Sequence, residues 1–289
     1  MIYIFGDSFS VEEPDDISFN GETGLCWYEI VRRKGTSHNP MDGQQIINYS
    51  SKGEGSYASM EKLYHLVENN EIKLDDKIII MLSSQYRIPF EFLNDSIFKD
   101  DSSFKGEQNF DYLIDHWFNA KGLVGKMENM ESLEWTEQVF SPEQIKYLND
   151  HSEVILSTYL ALKEEIDRAN VKNIYFLKTL SQLKKIKIIC FLCFEYKNKR
   201  YIDYDFNKLN DDYFKLHNEV LWNVCLQENI NNIFADTFTN YRANHLSYCN
   251  HRILANIILN FFSDYPFNLD EKFHKDIIED SQPKPFMYN

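Results

Sequence analysis

The sequence predicts a three-layer α/β/α, flavodoxin-like domain built on a five-stranded parallel sheet. Two observations carry that expectation. Short apolar runs of strand length alternate with longer stretches at helical spacing, a βαβα order that places helices on both faces of a parallel sheet. The run Ile78–Leu82 is also uninterrupted in apolar residues, as suits a strand covered on both sides.

Taken in order, Ile2–Phe5 is a strand that ends at Gly6. Trp27–Arg33 is a helix with Trp27, Ile30 and Val31 on one face. Gln45–Tyr49 is a second strand, and Ser56–Val67 a helix in which Met60, Leu63 and Tyr64 recur at helical spacing. Lys77–Leu82 is the third strand. Glu153–Lys185 carries a long helical pattern with a break expected near Asn170. Ile186–Phe194 is the fourth strand, Asp211–Gln227 a helix, Ile230–Ala235 the fifth strand and Asn250–Phe262 the last helix. In such sheets ligands bind beyond the carboxyl ends of the strands, so the residues just past each strand are the ones to weigh for function.

Two segments stand outside this rhythm. Phe92–Asn149 is too long for a plain loop and is expected to be a mostly helical insertion, serving as a lid or a substrate wall. Residues 264–289, proline-rich and ending Pro-Lys-Pro-Phe-Met-Tyr-Asn, form a C-terminal extension. The main domain is therefore assigned to residues 1–263, with the insertion at about 92–149, a size that suits one large domain.

Charge excludes some functions. With 45 acidic and 30 basic side chains the chain carries a net charge of −15, which argues against a general nucleic-acid binder or an anionic-membrane face. No stretch approaches the ~20 apolar residues of a membrane span. Met1-Ile2-Tyr3-Ile4-Phe5 lacks a secretory leader's basic start and cleavage site. Five scattered cysteines suit reduced thiols, so a cytoplasmic location is expected. Cys190 and Cys193 form a C-x-x-C, but three residues apart in a strand they face opposite sides of the sheet, which disfavours a metal or redox pair.

The strongest local signal is Gly6-Asp7-Ser8-Phe9-Ser10, directly after the first strand. A serine at a strand-to-helix turn lies where free backbone N–H groups can stabilise an oxyanion. Three further segments come after strands or before a helix in the same way: Asn48-Tyr49-Ser50-Ser51-Lys52-Gly53-Glu54-Gly55-Ser56, Met81-Leu82-Ser83-Ser84, and Asn244-His245-Leu246-Ser247.

In these four blocks, and in their order, the chain resembles the SGNH hydrolases, also called the GDSL esterase and lipase family. The resemblance implies Ser8 as nucleophile and His245 as base. It implies an oxyanion hole from the N–H of Ser8, the N–H of Gly53 (otherwise Gly55) and the side chain at Ser83. Two positions depart from the family pattern. Ser83 stands where the family usually has asparagine, and Arg242 and Ala243 stand where it places the triad acid. Asp236, just after the expected fifth strand, is the nearest replacement acid; a backbone carbonyl orienting the imidazole is the alternative.

Asp7 and Arg87 are candidate substrate contacts. Arg87 suits a carboxylate, a phosphate or a sugar hydroxyl, and equally an ion pair with Glu91 one turn on. His251 falls within the last helix and is expected to pack or cap. No metal or organic cofactor is required. The implied reaction is hydrolysis of a carboxylic ester on a small molecule or glycan, with carbohydrate O-deacetylation as one form. An acyltransferase on the same site, or a catalytically retired scaffold acting as a binding or structural protein, are the alternatives.

Overall fold

The computed structural model describes residues 1–7, 9–10, 17–19, 22–24, 26–34, 45–50, 55–83, 142–193, 206–217, 219–224, 246, 248–263 and 272–273. In chain order the strands are β1 (Ile2–Phe5), β2 (Ile17–Phe19), β3 (Glu22–Gly24), β4 (Ile46–Asn48), β5 (Lys77–Leu82), β6 (Lys187–Leu192) and β7 (Phe214–His217). The helices are α1 (Trp27–Lys34), α2 (Ser56–Glu68), α3 (Pro142–Asp150), α4 (Ser152–Lys184) and α5 (Tyr248–Phe262).

β2 and β3 pair antiparallel as a small separate ribbon, which the sequence did not foreshadow. The other five strands form an all-parallel sheet in the order β4-β1-β5-β6-β7. Counted within that sheet alone, this is the 2-1-3-4-5 order of flavodoxin-like folds, whose switch point falls between β1 and β5.

Alternation along the central strands builds two cores. Ile2 and Ile4 of β1, Ile79 and Met81 of β5, and Ile189 and Phe191 of β6 turn to the side covered by α1 and α5. Tyr3 and Phe5, Ile78 and Ile80, and Ile188 and Cys190 turn to α2 and the C-terminal half of α4. The uninterrupted apolar run of β5 thus has helices on both faces. Cys190 and Cys193 fall in opposite cores and form no disulfide, and burial pushes the Cys190 thiol up from its ordinary range. Among the described residues no helix is long and apolar enough to cross a membrane.

Three expectations are revised. α4 runs unbroken through Asn170, because its 33 residues hold neither Gly nor Pro and Ile174, Leu177 and Leu180 keep one apolar stripe buried. It stops at Lys185, which takes the left-handed φ of 54° and donates its N–H to Ser181. Tyr64 does not join the buried stripe of Met60 and Leu63: it is 42% exposed, packs edge-on against Phe176, and donates its hydroxyl to Asn173 Oδ1 at 2.9 Å.

The third revision concerns the helix expected over Asp211–Gln227, whose described residues form a strand and a 3₁₀ turn instead. Phe214 and Leu216 are buried while Lys215 and His217 are half-buried, a period of two that makes β7 the fifth strand of the sheet. A single 3₁₀ turn, Leu221–Val224, comes next. Ile230–Ala235, expected as the fifth strand, lies outside the described residues. So does the Phe92–Asn149 segment up to α3, and the extension 264–289 apart from residues 272–273. Phe273 packs its ring edge-on against His217, so the extension meets the sheet at the end of β7.

Side chains prepare β7 for its place at the edge of the sheet. Asn210 acts as a short surrogate strand: its Oδ1 accepts from Leu216 N at 2.7 Å and its Nδ2 donates to Leu216 O at 3.3 Å. Asp211 Oδ1 accepts from the N–H groups of Tyr213 and Phe214 at 3.0 and 2.9 Å, and Oδ2 accepts from Lys178 of α4. Burial raises the Asp211 carboxyl's pKa, but these hydrogen bonds and the Lys178 charge more than offset it, holding the group below its usual range. A depressed folded-state pKa contributes stability above the unfolded value and loses it as pH falls through the folded one. Asp211→Ala is therefore expected to cost about 1–2 kcal/mol at neutral pH. The cost should shrink in acid, where the wild-type carboxylate is itself protonated. Denaturant melts of the two proteins across acidic pH check this, and a constant gap would refute it.

Candidate active site

The site grows from the turn after β1. Phe5 closes the strand with its side chain buried, and Gly6 turns the chain at φ +152°, where L side chains are strained. Its Cα also lies against β5: a Cβ built there would sit 2.8 Å from Met81 Cβ and 3.0 Å from the Met81 carbonyl oxygen. The position suits glycine on both counts.

Asp7 organises the rest of the turn. Its Oδ1 accepts from Phe9 N at 3.0 Å, the Asx turn that aspartate forms two residues ahead. Its carbonyl accepts from Ser10 twice, through the backbone N–H and the hydroxyl, each at 2.9 Å. The turn is then tied outward in three directions. Toward β4, Asn48 Nδ2 donates to Ser10 O at 2.8 Å while its Oδ1 accepts from Ser50 N at 2.9 Å. Toward β5, Ser83 Oγ donates to Asp7 Oδ2 at 2.6 Å. Toward α1, Trp27 Nε1 donates to Phe9 O at 2.8 Å.

The anchors are themselves held. His251 of α5 caps the first turn of α1, its Nδ1 accepting from Trp27 N at 3.3 Å across 224 residues of chain. His251, expected to pack or cap, is buried and caps α1. Asn250 beside it donates to Val224 O at 2.9 Å. Ser56, first residue of α2, donates its hydroxyl to Ser83 O at 3.2 Å, joining the start of α2 to the end of β5. At the end of β6, Cys193 N donates to Leu82 O at 2.9 Å and Cys193 Sγ approaches Asp7 Oδ1 at 3.7 Å.

Among the expected site residues, the structure brings Asp7 and Ser83 together at the carboxyl ends of β1 and β5, on either side of the switch point. Each makes hydrogen bonds within the protein there. Asp7 is fully buried and both its oxygens accept bonds from the protein. Ser83 donates its hydroxyl to Asp7 Oδ2 and is 1% exposed. Gly55, the alternative to Gly53, is buried as the N-cap of α2. Ser8, Gly53, Arg87, Asp236 and His245 lie outside the described residues. Leu246, next after His245, is buried in the same core as Phe9, Met81 and Cys193.

Sequence reasoning missed Asn48 as the bracket on the β4 side and Cys193 as a neighbour of Asp7. An asparagine ending a strand was a usable signal for the first, since its side chain can serve two backbone groups at once. Comparison of the chain with protein-family models, with curated proteins and with solved structures finds no match.

Proposed function

We propose that this chain is a serine esterase of the SGNH type, hydrolysing a carboxylic ester with Ser8 as nucleophile and His245 as base. The observation that supports the reading most is the bracing of the turn around Ser8. Phe9 and Ser10 have their N–H and C=O groups engaged by Asp7, Trp27 and Asn48, from strands and helices on either side. A turn held this way at the switch point of a parallel sheet is pre-organised, and electrostatic catalysis draws on pre-organisation.

In the proposed reaction Ser8 Oγ attacks the ester carbonyl while His245 removes its proton. The backbone N–H groups of Ser8 and Gly53 hold the tetrahedral oxyanion. Collapse expels the alcohol, which takes the proton from His245, and leaves an acyl-serine. Water, activated by the same imidazole, then releases the acid. Asp236 or a backbone carbonyl orients the imidazole, and Arg87 meets a polar group of the alcohol. Carbohydrate O-acetyl esters are the substrates to try first.

The test is covalent. A fluorophosphonate should label the protein in a 1:1 ratio, and peptide mass spectrometry should place the adduct on Ser8. Labelling at another residue, or none under conditions that label a known serine esterase, would refute the assignment.

A further inference from the structure

Three strand ends meet at one buried carboxylate. Asp7 lies just past β1, Ser83 just past β5 and Cys193 just past β6, and the Ser83 hydroxyl and Cys193 thiol converge on the Asp7 side chain at 2.6 and 3.7 Å. All three residues are at most 1% exposed. The Ser83–Asp7 bond joins a hydroxyl to a carboxylate across 76 residues of chain, the short and strong class of hydrogen bond. The same carboxylate takes the Phe9 N–H, so its position sets the path of the backbone on both sides of Ser8.

We infer that Asp7 and Ser83 act as one positioning latch: Ser83 fixes the Asp7 carboxylate, and Asp7 fixes the nucleophile turn. The inference rests on the esterase reading and changes the part given to Ser83. A serine hydroxyl has one hydrogen, and here it points into the protein at Asp7. In this reading the oxyanion hole is made of backbone N–H groups, and Ser83 reaches the chemistry through Asp7. Neither residue is a catalytic residue in the sense of touching the reacting atoms. The bond also crosses the gap between β1 and β5, the two strands that border the switch point, and adds to their ladder in holding the turn against the end of β5.

The two roles separate in a double-mutant cycle of Asp7→Asn and Ser83→Ala. Residues that act as a unit lose their function once, so each single variant and the double variant should all lower kcat by about tenfold, with KM within about twofold of wild type. An independent oxyanion donor behaves differently. Its removal costs about 10²–10³ in rate, and that loss would multiply with the loss from Asp7→Asn. Asp7→Asn is the sharper arm, because the new amide can donate to Ser83 and release the hydroxyl hydrogen. A rise in kcat there, or multiplicative losses in the cycle, would overturn the latch.

Unchanged kcat with a lowered melting temperature would also overturn it, since the pair would then serve stability alone. Ser83→Thr guards against misfolding of Asp7→Asn. It keeps the hydroxyl and should recover most of the activity lost in Ser83→Ala, and no recovery would count against the proposal. Fluorophosphonate labelling of wild type separates the two readings. Without labelling of wild type the esterase reading falls and the latch with it; with rapid labelling of wild type and of all variants alike, only the latch falls.

Discussion

Ser8→Ala and His245→Ala should each lower kcat on short p-nitrophenyl esters by on the order of 10⁴–10⁶, and the double variant should lose no more than either alone. The reason is that base and nucleophile make one machine: without the hydroxyl the imidazole has no proton to take, and without the imidazole the hydroxyl is a poor nucleophile at neutral pH. Residual activity would come from the oxyanion hole and substrate binding. In wild type, kcat/KM should rise with pH as the base loses its proton. His251→Ala is the control. It removes the acceptor of Trp27 N and should cost about 1–3 kcal/mol of stability while leaving kcat close to wild type. Near-normal turnover in Ser8→Ala would remove the nucleophile assignment, and equal catalytic losses at His245 and His251 would remove the base assignment.

Much of the fold was legible because its strongest elements are strongly patterned. β1, β5 and the helix that opens at Ser56 start where their apolar periodicity starts. The sheet's parallel character could be read from the uninterrupted run of β5, which needs cover on both faces. β7 was misread because Leu216, Val220, Leu221 and Val224 match a helical spacing as well as a strand and a turn in succession. Side chains nearby decide between them. Asn210 and Asp211 satisfy backbone groups of Tyr213, Phe214 and Leu216 from outside, an arrangement that favours an edge strand and is invisible to periodicity.

The site was legible in its position and not in its internal bonding. Motif order placed Asp7 and Ser83 beyond the ends of neighbouring strands, and they are there. Their expected roles came from thinking of each side chain singly, facing a ligand. Both are buried, and a buried carboxylate must be satisfied by the protein before it can serve anything else. The partner that satisfies it lies 76 residues away, so only the register of β1 against β5 brings the two together. The same holds for His251 and Trp27, whose contact depends on α1 and α5 packing side by side.

Gly6→Ala should be among the most damaging single changes outside the reacting groups, costing about 3 kcal/mol or more. Two independent penalties act there. At φ +152° an L side chain is strained whatever the space around it. The added methyl would also meet Met81 from two sides, its Cβ at 2.8 Å and its carbonyl oxygen at 3.0 Å, as well as the Ser10 hydroxyl. Ser10 could turn its hydroxyl away, but Met81 cannot retreat. It is fully buried in β5, whose backbone is fixed by ladders to β1 and β6. The chain must therefore lift the turn off the end of β5, stretching the Asp7–Ser83 bond and displacing Ser8 with it. A fall of roughly 6–12 °C in melting temperature is expected for a domain of this size, together with a large loss of fluorophosphonate labelling. Adding Ser10→Ala to Gly6→Ala removes only the softest of the three contacts and should restore little of either quantity. If the double variant recovered wild-type stability, the Ser10 hydroxyl and not the wall of β5 would be what demands glycine at this turn.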